Sequence, residues 1–84
     1  MKACSVFWLC YQNPEGVCVV LQRASSLVNA RMKAAIAGLD AGEFKEGHAL
    51  DAKMARRIPK EMIGRALSAA QAKRLLTLLD RKRA

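Results

Sequence analysis

The stretch SVFWLCYQNPEGVCVVLQ, residues 5–22, limits what this chain can become more than any other feature. Two runs rich in aromatic and β-branched residues flank Asn13-Pro14-Glu15-Gly16. That tetrad carries turn preferences: proline pre-sets φ at the second position, and glycine takes the positive φ that closing the turn requires. The segment reads as a β-hairpin. Both of its faces are apolar. Val6, Trp8 and Cys10 alternate with Phe7, Leu9 and Tyr11 in the first run, and Val17, Val19 and Leu21 alternate with Cys18 and Val20 in the second. A sheet wetted on one side would alternate apolar with polar, and two strands alone are marginal in water. Either helices cover both faces, or a homodimer forms through the hairpin by joining edges or burying faces.

The remaining chain reads as helices. Residues 26–37 start at a Ser25 or Ser26 cap and place Val28, Met32, Ala35, Ile36 and Leu39 on one stripe, closed by Gly38 as the left-handed residue of a Schellman ending. Residues 40–48 form a glycine-containing loop anchored by Phe44, and no β-branched residue supports a strand at 43–46. Residues 50–58 set Leu50, Met54 and Ile58 on one face before Pro59 ends or kinks the helix, and residues 59–63 make a turn that Gly64 can close. Ser68-Ala69-Ala70-Gln71 is a capping box, opening a last helix whose stripe is Ala72, Leu75, Leu76 and Leu79, widened by Leu78. The expected fold is α+β in a single domain over residues 1–84. It comprises an N-terminal β-hairpin followed by three helices, the second short and interrupted at Pro59.

Charge is unevenly placed. Residues 1–51 hold five cations and five acids, whereas residues 52–84 hold ten cations against Glu61 and Asp80, so the net +8 belongs to the second segment. A charge confined to one segment is what a footprint for an anionic partner requires. Part of it has a local explanation. Arg81, Lys82 and Arg83 stand where the last helix ends and stabilise its partially negative terminus. Lys53, Arg56, Arg57, Lys60 and Arg65 cluster around Pro59, with Lys73 and Arg74 in support, and these seven are the candidate phosphate contacts.

Other chemistries find less support. His48 is the sole histidine, and nothing in the sequence couples it to a serine or cysteine nucleophile, so no catalytic residue is assigned. Glu43-Phe44-Lys45 after Asp40 has the acidic-x-lysine form found in metal-dependent nucleases, but it lies in a glycine-flanked loop. Cys4, Cys10, Cys18 and His48 are ligands of the right kind for zinc. No two of the cysteines stand two to four residues apart, as a knuckle needs, so no metal and no cofactor is assigned. The apolar run at 6–11 is too short for a signal-peptide core, and no stretch approaches the length of a membrane span. The expectation is a cytoplasmic, non-membrane protein with reduced thiols. Its expected function is that of a small basic non-catalytic binding protein meeting DNA or RNA through a basic helical surface. The alternative is a protein–protein interaction module or accessory subunit that uses the apolar hairpin as its interface.

Overall fold

The computed structural model describes residues 4–40 and 42–81. Strands β1 (Ser5–Asn13) and β2 (Gly16–Ala24) form the hairpin, with Asn13 opposite Gly16 as its last pair and the Asn13 side-chain oxygen accepting from the Glu15 N–H at 2.9 Å. Helix α1 (Leu27–Ile36) follows, then strand β3 (Glu43–Ala49), helix α2 (Ala52–Arg57), a single 3₁₀ turn (Lys60–Met62), strand β4 (Arg65–Ser68) and helix α3 (Ala69–Arg81). The four strands make one antiparallel sheet in the order β3-β1-β2-β4. The expected order, a hairpin followed by three helices, is therefore corrected: two further strands are interleaved with the helices. The break at Pro59 is present, but a 3₁₀ turn and then a strand separate it from α3.

Both added strands owe their state to the hairpin they pair with rather than to their own residues. β3 lies on the free edge of β1, with a bulge opposite Cys10 and Tyr11. Its Gly47 sits so near the sheet-to-helix packing that a Cβ there would stand 2.9 Å from the ends of Leu9 and Leu27 and 3.1 Å from the Phe44 ring. Only glycine fits without displacing them. β4 begins where the Gly64 N–H donates to the Leu21 carbonyl at 2.6 Å, which turns the chain onto the open edge of β2. The hairpin is thus the middle of the sheet.

Its two apolar faces are both covered. On one side Phe7, Leu9, Tyr11, Val20 and Ala24 pack against Ala30 and Ala34 of α1. On the other, Val6, Trp8, Val19, Leu21 and Leu67 pack against Leu50, Ile58 and the α3 residues Ala72, Leu75 and Leu79. The hairpin is paired to β3 over residues 7–12 and to β4 over residues 18–21 and is covered on both faces, so the structure gives no support to a homodimer through it. Val17 alone among its large apolar side chains is exposed.

The local signals behave as short-range physics dictates. Ser26 caps α1, its hydroxyl accepting from the Asn29 N–H. At the other end Gly38 at φ +73° lets the Gly38 and Leu39 N–H groups reach the Ala35 and Ala34 carbonyls, the paired bonds of a Schellman ending. Ser68 and Gln71 exchange the reciprocal bonds of a capping box at 3.0 and 3.2 Å. The stripes are less well foreseen. α1 turns Leu27, Ala30 and Ala34 inward and leaves Val28, Met32 and Ile36 exposed. Leu76 and Leu78 of α3 are also exposed, so its buried stripe is Ala72, Leu75 and Leu79. Lys82 and Arg83, read above as helix-end cations, lie outside the described residues.

Tyr11 and Cys18 face one another across the β1–β2 pair on the α1 side. Burial pushes both groups above their ordinary values, with Cys10 adding to the rise at Cys18, while Arg31 partly offsets it at Tyr11. The native state therefore holds these protons more tightly than the unfolded chain. Their contribution is complete below pH 9.0, the ordinary thiol value, and is lost as pH rises through the raised values. Thermal melts should be level near neutrality and fall progressively above pH 9 to 10, with Cys18→Ala removing the earlier part of the fall.

Candidate nucleic-acid interface

The sheet sorts the charges by side. α2, the 3₁₀ turn and α3 all pack on the Val6–Trp8–Leu21 face, and α1 packs on the other. α2 keeps its place because Asp51 caps it, Oδ1 accepting from the Lys53 N–H at 2.7 Å, and because Met54, Ala55 and Ile58 turn toward the core. Lys53 and Arg56 are left on the outer side. Lys60 is exposed on the 3₁₀ turn, and Lys73 and Arg74 are exposed on α3 between the buried positions Ala72 and Leu75. Arg65 stands opposite Leu21 in the β2–β4 ladder, so it belongs to the same side of the sheet, and it too is exposed.

Six of the seven candidate residues are thus solvent-facing on one layer: Lys53, Arg56, Lys60, Arg65, Lys73 and Arg74. The seventh, Arg57, differs. It is half-buried, and its guanidinium makes a long bond, 3.5 Å, to the Leu79 carbonyl, tying α2 to the last turn of α3. That ties it to the fold whatever else it contacts. Among the described residues the ion pair present is Lys45–Glu43 on β3, and none of the seven is neutralised by a carboxylate within 4 Å. Exposed Glu61 is the acid that the 3₁₀ turn contributes to the layer.

Sequence reasoning missed Arg23. It stands opposite Val6 in the β1–β2 ladder, on the α2 side, and with Arg56 it borders a cleft of about 220 Å³ floored by Val6, Leu50 and Ala55. The signal was available. Arg23 follows Val19 and Leu21 at steps of two, so strand alternation alone puts it on their face.

The arrangement can hold phosphates more readily than it can read bases. β4 separates α2 from α3, so no helix-turn-helix is formed. Gln71, at the start of α3, has its side-chain oxygen engaged by the Ser68 N–H. Trp8, Phe7 and Tyr11 are buried and offer no stacking platform. Phe44 is covered by Arg31, whose guanidinium lies 4.0 Å from the ring centroid.

The catalytic and metal alternatives find their residues dispersed. His48 is exposed opposite Trp8, and Cys10 and Cys18 occupy opposite faces of the sheet. Among the described residues no three of His, Cys, Asp and Glu are grouped to share a metal ion. No described helix is long and apolar enough to cross a membrane. The chain matches no family model, no curated protein and no solved structure.

Proposed function

We propose that this protein is a non-catalytic nucleic-acid-binding domain that grips the phosphate backbone of DNA or RNA with little sequence preference. The contacts are Lys53, Arg56, Lys60, Arg65, Lys73 and Arg74, with Arg23 at the margin of the layer and Arg57 principally holding α2 to α3. A cytoplasmic setting suits its free thiols. One observation supports this above the rest: exposed cations from four separate elements, with no carboxylate partner among the described residues, lie on one side of the sheet in a chain whose net charge is +8. Such a layer attracts polyanions over a range set by screening, and its binding free energy comes largely from released counterions.

The test is a salt series with fluorescently labelled duplex DNA, single-stranded DNA and RNA. Engagement of about six phosphates predicts a log–log slope near −5 on duplex, which is a loss of roughly a thousandfold in affinity between 50 and 200 mM salt. Scrambling the probe sequence should leave the affinity unchanged. A slope near zero, or no binding at 50 mM salt, would remove the proposal.

A further inference from the structure

We infer that the cleft bordered by Arg23 and Arg56 receives one unstacked base of a single-stranded nucleic acid, a contact that a duplex cannot make. The inference rests on the binding proposed above and narrows its substrate class.

Two kinds of surface meet in this cleft. Arg23 and Arg56 are exposed at its border, while Val6, Leu50 and half-buried Ala55 supply hydrocarbon beneath them. No carboxylate lines it. Asp51, the acid that adjoins Leu50 and Ala52 in the chain, turns its Oδ1 to the Lys53 N–H. A bare phosphate suits the arginines, but it would have to shed water against the hydrocarbon, which costs free energy. A nucleotide in a single strand has the matching pair of properties. Its base has apolar faces, and the phosphates on either side of it meet the cations. Guanidinium planes also stack on bases, whereas a lysine ammonium is a compact point charge.

Size and stacking exclude the duplex. At about 220 Å³ the cleft falls below the roughly 300–1,000 Å³ of pockets that enclose a drug-sized molecule, so it suits one ring system and not a base pair. In a duplex every base is stacked between neighbours, and none can enter unless the helix is opened. A single strand presents its bases at small cost. Contact through the face of a base also tolerates any sequence.

The cleft lies beside the proposed path of the backbone. Arg56 belongs both to the basic layer and to the cleft, and Lys53 precedes it by three residues on the outer side of α2. A strand whose phosphates follow Lys53 and Arg56 passes the cleft and reaches Arg23 on β2.

Abasic oligonucleotides test this apart from the binding proposal, because they carry the same phosphates without the bases. The parent should bind an intact single strand about tenfold more tightly than an abasic strand of the same length. Phosphate contacts weaken with salt and stacking does not, so this ratio should hold between about 50 and 200 mM while both affinities fall. Arg23→Lys with Arg56→Lys keeps the charge at two exposed positions, so thermal melting should match the parent. Duplex affinity of that variant should stay within about twofold of the parent, and its preference for the intact strand should vanish. Equal affinity of the parent for intact and abasic strands overturns the inference and leaves the binding proposal standing. So does a preference that survives the double lysine variant, which would put the base elsewhere. Failure of every probe to bind removes both.

Discussion

Replacing Arg56, Lys60, Lys73 and Arg74 together by glutamate should reduce nucleic-acid binding at least about a hundredfold, to below detection near physiological salt, while the protein stays folded. Four of the proposed phosphate contacts become repulsive, and a non-specific affinity built from about six such contacts has nothing else to fall back on. The four side chains are exposed, and no acid partners them among the described residues, so the fold loses little. Surface substitutions of this kind change stability by about 0.5 kcal/mol or less each, and here they also relieve self-repulsion in a strongly basic chain. Arg57→Ala is the informative comparison. It removes a half-buried stem and the bond to the Leu79 carbonyl, so it should cost about 0.5–1 kcal/mol of stability and lower the salt slope far less than the quadruple change. If the quadruple variant bound as the parent does, the basic layer would not be the interface. If it unfolded, those side chains would be structural, and the charge asymmetry of the sequence would have a different origin.

What the sequence made legible follows the range of the interactions involved. The hairpin, the Ser26 cap, the Gly38 ending and the Ser68–Gln71 box are settled within a few residues, and each is present at its expected position. β3 could not be read the same way. Its seven residues have low strand propensity, and their state is conferred by the unpaired edge of β1, with Gly47 chosen for close packing. β4 likewise depends on the open edge of β2. The same contrast holds for the interface. Composition located the basic segment, but the inward turn of Arg57 and the packing of α2 on the side of the sheet that carries Arg23 are consequences of tertiary placement. The orientation of α1 was the hardest to foresee. Only Asn29, Arg31 and Lys33 interrupt an otherwise apolar helix, so a stripe through Leu27, Ala30 and Ala34 competes with the ridge through Val28, Met32 and Ile36. Periodicity alone does not choose between them. The large side chains already contributed by Phe7, Leu9 and Tyr11 do, because a helix seated on them fits best through its smallest residues.

That choice has a measurable consequence. Leu9 is fully buried between the sheet and α1. Leu9→Ala should cost about 3–5 kcal/mol, the upper part of the range for such truncations, because the helix residues facing the vacated space are alanines too short to fill it. Against a total of about 5–15 kcal/mol for a domain, that is enough to leave the protein largely unfolded in modest denaturant. Ile36→Ala removes the same number of carbon atoms from an isomeric side chain, yet should change stability by about 0.5 kcal/mol or less, since that side chain is already in water. Ala34→Leu should be harmful in the opposite sense, costing about 1–3 kcal/mol by forcing the helix off the sheet. Urea unfolding of the three variants gives all three values from midpoints at constant slope. Losses at Leu9 and Ile36 of equal size, with Ala34→Leu tolerated, would mean that the ridge through Val28, Met32 and Ile36 faces the sheet after all.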